Sequence, residues 1–128
     1  MTEKHHQIII SVADEAVSRS AAIAIWRPEM GIRRVPWGAP LAALVTVEKC
    51  DAIVAEMPRS TTEIGALVRE VRQPACPSHR LGFIALTAPD TMEYAVEFLG
   101  RGINRIVPTD RIDEDLEPTL IELLSVCL

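Results

Sequence analysis

Aromatic side chains are scarce: two Trp, one Tyr and two Phe are the whole supply in 128 residues. A core built from this chain has to be filled by Ile, Leu, Val and Ala, a composition suited to alternating α/β folds. Cysteine is sparse as well. Cys50, Cys76 and Cys127 are three in number, with no Cys-x-x-Cys and no Cys/His spacing for zinc, so a disulfide framework and a zinc module are both excluded and reduced thiols are expected. No apolar run approaches the ~20 residues of a bilayer span, and no apolar stretch follows the first charges as in a secretory signal. A cytoplasmic location without membrane contact is therefore expected. Positive charge is in deficit: 13 Lys and Arg stand against 18 Asp and Glu, a net charge of -5. That balance disfavours attraction to nucleic acid or anionic membranes. A Gly-x-Gly-x-x-Gly turn, a P-loop and a Ser/His/Asp constellation are all missing, so no catalytic residue, cofactor or metal is assigned.

What is present is an alternation of short apolar runs with longer amphipathic ones, in a chain of one-domain length. Residues 1–6 are expected to be a flexible polar leader containing His5 and His6, and His79 falls in a Pro-rich loop without an obvious partner. QIIISV (7–12) has strand length and β-branched character. DEAVSRSAAIAIW then repeats Val17, Ala21, Ala24 and Ile25 at helical spacing. GIRRV (31–35) reads as a second strand, PLAALVTVEK (40–49) as a helix opened by proline, and DAIVAE as a third strand buried on both faces. Ser60 and Glu63 have capping-box spacing before a helix with Ile64, Leu67, Val68 and Val71 on one face. LGFIALT (81–87) predicts the fourth strand, and APDTMEYAVEFLGRG a helix closed by Gly100 or Gly102. INRIVP predicts the fifth strand. The last helix is expected over DEDLEPTLIELLSVC, buried through Leu116, Leu120, Leu123, Leu124 and Cys127.

Five strands alternating with five helices imply a flavodoxin-like (βα)5 three-layer sandwich, its parallel sheet ordered 2-1-3-4-5. Functional groups in such sheets gather at the carboxyl ends of the strands. Asp14, Glu56, Thr87 and Thr109 all fall at that edge.

The run DAIVAEMP, the pair Thr87-Ala88 in IALTA and the pair Gly102-Ile103 resemble the receiver domain of two-component response regulators along essentially the whole chain. In that family an Asp, four apolar residues and the phospho-accepting Asp precede a Pro. The resemblance places Glu56 at the acceptor position, Thr87 and Ile106 at the switch positions, and Thr109 where the family carries its lysine, with Asp110 in place of the following proline. The two acids that hold Mg²⁺ after the first strand fall on Val12-Ala13, Ala13-Asp14 or Asp14-Glu15, depending on register. The middle choice is favoured because it puts Arg19 where receivers often have Arg; it leaves Asp14 as the one acid of the pair, and Asp14 and Glu15 together are read as the degenerate acidic pocket. These departures imply a degenerate receiver, or pseudo-receiver. Glu56 imitates part of a phosphoryl group, at a charge of about −1 against roughly −1.5 to −2.

Plainer roles compete at each position. Glu56 reads also as a solvated strand-end acid, Asp14 as a helix cap, and Thr87 as a cap for the helix near Pro89. Trp26 and Trp37 read as packing residues, and Trp37, between Pro36 and Gly38, also as a partner anchor. The expected function is a phosphorylation-independent protein interaction module in bacterial signalling, not an enzyme, with a kinase or an output domain as partner. Homodimerisation is expected through Glu93, Glu97, Arg101, Arg105 and Arg111 on the fourth-helix and fifth-helix face. Two alternatives remain open: a domain binding a phosphate or nucleotide at the same edge, and a conventional phosphorylatable receiver.

Overall fold

The computed structural model describes residues 6–75 and 80–126. Strands and helices alternate as β1 (His6–Ser11), α1 (Glu15–Ile25), β2 (Met30–Arg34), α2 (Ala39–Val47), β3 (Ala52–Glu56), α3 (Thr61–Val71), β4 (Gly82–Thr87), α4 (Met92–Val96), β5 (Arg105–Pro108) and α5 (Glu117–Val126). All strand pairs are parallel and the order is β2-β1-β3-β4-β5, as the alternation predicts. The continuous apolar run of β3 is central, so Ala52, Ile53, Val54 and Ala55 are buried on both faces. On one face, Ile9, Ile53 and Phe83 pack with Leu41, Val45, Ile64, Leu67 and Ala95 from α2, α3 and α4. On the other, Ile8, Ile10, Val54 and Ile84 meet Ala21, Ile25, Leu120, Leu123 and Leu124 from α1 and α5. Phe83 is the one aromatic side chain that is fully buried, so the core is aliphatic as its composition requires.

Local chemistry sets the helix starts. Asp14 accepts from the Val17 N–H at 3.0 Å, and Ser60 accepts from the Glu63 N–H at 3.2 Å. Each satisfies one of the first-turn donors that have no partner within the helix. The predicted stripe Ile64, Leu67, Val68 and Val71 is buried throughout.

Four expectations change. His6 is part of β1, paired with Met30, with its N–H donating to Glu29 O at 3.0 Å; the remainder of the supposed leader, 1–5, lies outside the described residues, as do Cys76, His79 and Cys127. The helix predicted over 88–102 shrinks to the five residues of α4. Beyond it, Phe98 and Leu99 bond three residues back, to Ala95 O and Val96 O, and the Ile103 N–H returns to Phe98 O. Gly100 and Gly102 take positive φ there, +79° and +128°, and a Cβ on Gly102 would collide with Val68 Cγ1. The tight turn is thus fixed by glycine twice over. The last helix also starts late: a 3-10 turn (Thr109–Arg111) and a wide π-type turn (Ile112–Leu116) hold Asp113, Glu114 and Asp115 before α5 begins. Pro118 lacks the N–H a regular helix would need in its second turn, and this accounts for the widened entry. Finally, Trp26 is 65% exposed and is not a packing residue.

Candidate functional site

The carboxyl edge of the sheet presents Ser11, Glu56, Thr87 and Pro108 at the ends of β1, β3, β4 and β5. Ser11 pairs with Ala55, so Glu56 stands one step beyond the last β1–β3 pair. From there its Oε1 accepts a short hydrogen bond from the Ala13 N–H, 2.5 Å. At the opposite end of the same strand, Asp51 Oδ2 accepts from the Gln7 N–H at 2.7 Å. The two acids that bracket AIVA therefore do one job. Each takes up a backbone donor where the β1 ladder runs out, and an unpaired donor there would cost free energy. Sequence reading placed Glu56 at the edge but missed its partner. The signal was available in the strand register, which sets Glu56 beside the segment following Ser11.

The remaining predicted residues do not converge on Glu56. Asp14 caps α1. Glu15 Oε1 is held by Arg34 Nη1 at 2.9 Å and by Arg19 Nη2 at 3.5 Å, on the surface. Thr87 is buried, and its Oγ1, like that of Ser11, has no hydrogen-bond partner. Thr87 caps no helix: the residue preceding α4 is Thr91, whose Oγ1 makes no cap bond and instead accepts from the Ala88 N–H upstream at 2.9 Å. Ile106 packs partly buried against the α2–α3–α4 side of the core, and Thr109 opens the 3-10 turn. No cation reaches the edge from the lysine position, since Thr109 is neutral.

Mg²⁺, the ion receivers hold, demands a near-octahedral oxygen set with acidic ligands. Here the segment after β1 begins Val12-Ala13, Asp14 and Glu15 are engaged elsewhere, and Glu56 is committed to a backbone amide. No group of three or more His, Cys, Asp or Glu among the described residues is arranged to hold a metal. The residues present do not fit the ion.

The face proposed for partner contact is divided. Arg105 is bound within the chain to Glu122 at 3.0 Å, and Arg111 to Glu114 at 2.7 Å and Asp115 at 3.1 Å. The hydrogen bond to Asp115, then the charges of Asp115 and Glu114, raise the Arg111 pKa further. Glu93, Glu97 and Arg101 make no ion pair with a described residue, and between them Val96 and Leu99 are 50% and 46% exposed.

No family model matches the chain, and no curated protein sequence does. Solved structures do. A response-regulator receiver domain from Francisella superposes with TM-score 0.77 at 17% identity, covering 97% of this chain and 100% of that one. A putative response regulator from Chloroflexus aurantiacus gives TM-score 0.80 at 19% identity, covering 95% and 99%. The receiver domain of a signal transduction histidine kinase from Syntrophus aciditrophicus gives 0.76 at 18%, covering 94% and 91%. The fold of this chain is that of the receiver domains.

Proposed function

We propose that this chain is a receiver-fold contact module of bacterial two-component signalling that works in the cytoplasm without phosphoryl transfer. The observation that carries the reading is the hydrogen bond from the Ala13 N–H to Glu56 Oε1. It ties the residue at the acceptor position to the segment where the metal acids would stand, and no cation faces it from Thr109. Phosphoryl transfer depends on positioning and on neutralising charge, and here both a metal site and a lysine are lacking. What remains useful is the surface. Val96 and Leu99, ringed by Glu93, Glu97 and Arg101, form an apolar centre with a charged rim, the usual anatomy of a protein interface. The partner on this face is a kinase or an output domain. Incubation with acetyl phosphate or beryllofluoride and Mg²⁺ is expected to leave the mass and the tryptophan emission unchanged. A mass gain of one phosphoryl group that disappears in Glu56→Gln would sink the proposal.

A further inference from the structure

Two surface features outside the Glu56 contact complement each other. At the end of α1, Ile23 and Trp26 are 68% and 65% exposed, although they are among the largest apolar side chains in the protein. With Ala22 and Ile32 they form an apolar patch flanked by Arg19 and Arg34. Both arginines share one carboxylate, that of Glu15, so the rim keeps an excess of positive charge. Exposed apolar clusters of this kind mark interaction sites more often than idle surface.

The second feature lies on the opposite face of the sheet, between α2 and α3. A groove of about 240 Å³ is lined by Trp37, Ala42, Ala66 and Leu67, with Glu63 and Glu70 along the α3 wall. Neither glutamate enters an ion pair with a described residue. Trp37 Nε1 is buried at this wall and has no hydrogen-bond acceptor. The groove therefore offers an apolar floor and uncompensated negative charge. Its complement is an apolar projection with a basic rim, and the exposed side chains of Trp26 and Ile23, beside Arg19 and Arg34, supply it.

We infer that a second copy of this chain occupies the α2–α3 groove, inserting Trp26 and Ile23 while Arg19 and Arg34 face Glu63 and Glu70. The contact joins two different surfaces, so it is head-to-tail. With the surfaces on opposite faces of the sheet, each added copy leaves a fresh groove exposed and association continues beyond the dimer. The charges set register and encounter rate, and the buried aromatic and aliphatic side chains carry the affinity. This goes beyond the signalling reading and does not depend on Glu56.

Sedimentation velocity from low micromolar to millimolar protein tests it. The wild-type chain is expected to grow past dimers with concentration and to dissociate as salt is raised. The variant Ile23→Ser/Trp26→Ala keeps the groove and loses the projection; Glu63→Arg/Glu70→Arg keeps the projection and reverses the groove. Either is expected to weaken self-association roughly tenfold or more; the melting temperature should hold in Ile23→Ser/Trp26→Ala, whose side chains are exposed, and fall by no more than a few degrees in Glu63→Arg/Glu70→Arg, which loses the first-turn acid of α3. Mixing Ile23→Ser/Trp26→Ala with Glu63→Arg/Glu70→Arg joins one intact groove to one intact projection, and is expected to restore a salt-sensitive heterodimer that neither variant forms alone. A wild-type monomer at millimolar concentration overturns the inference and leaves the groove to a foreign basic segment. Association that both double variants leave intact overturns it equally.

Discussion

Glu56 looked like a relic of chemistry, and its surroundings give it a structural task. The carboxylate accepts the Ala13 N–H and so closes the junction between β1 and α1. Glu56→Ala removes that acceptor and is expected to cost roughly 1 kcal/mol, or about 3–5 °C in melting temperature for a domain of this size. Glu56→Gln retains a carbonyl oxygen at the same reach and should recover most of the loss. Hydrogen exchange at the Ala13 amide reads the effect directly: it is expected to rise in the alanine variant and to stay near wild type in the glutamine variant. Amides around Ala88 and Asp90, at the end of β4, should not respond, because Thr87 makes no bond to Glu56. An increase there with no change at Ala13 would show that the side chain works toward β4 after all.

Elements were legible in the sequence where periodicity and caps agreed. Strand β3 and helix α3 came out as expected because a four-residue apolar run and an S-x-x-E cap each admit one economical reading. Helix α4 and the entry to α5 did not, because their limits are set by contacts distant in sequence. Gly102 is held against Val68 of α3, and no periodic pattern around residue 100 records that neighbour. The same blindness hid Arg72. Its guanidinium donates to Leu81 O at 2.7 Å, Gly102 O at 2.8 Å and Asn104 Oδ1 at 3.0 Å, while Asn104 Oδ1 also accepts from the Phe83 N–H at 2.7 Å. This partly buried network fastens the end of α3 to the start of β4 and to the turn before β5. Arg72→Met keeps the aliphatic stem and deletes the donors, leaving carbonyl acceptors unpaired; a loss of about 2–3 kcal/mol is expected in urea unfolding. Arg69→Met, one turn away and exposed, is the control and should stay within ~0.5 kcal/mol of wild type.

At the scale of the whole molecule, the fold matches solved receivers over nearly its full length, while the carboxyl edge holds Glu56 on a backbone amide and no metal-holding cluster is found among the described residues. Selection on such a scaffold then acts on surfaces. Arg101→Glu combined with Val96→Ser is expected to lower affinity for a partner protein about tenfold with no change in melting temperature, since exposed charges contribute little to stability. Titration calorimetry against a partner trapped by a photo-crosslinker at Leu99 measures it. The competing reading, a small-ligand domain, makes a different and global demand. Any molecule that binds only the folded state stabilises it by mass action, about 2.7 kcal/mol at a hundredfold excess over its dissociation constant, which for this chain length is a rise of roughly 8–13 °C. Inorganic phosphate, Mg²⁺ and the common nucleotides, each at millimolar concentration, are expected to leave the melting temperature unmoved, because Glu56 would repel an anion at the sheet edge and the arginines nearby, Arg34 and Arg59, are already paired with Glu15 and Asp90. A rise of several degrees with phosphate or a nucleotide, absent in Glu56→Ala, would place a ligand site at the carboxyl edge and displace the contact-module reading altogether.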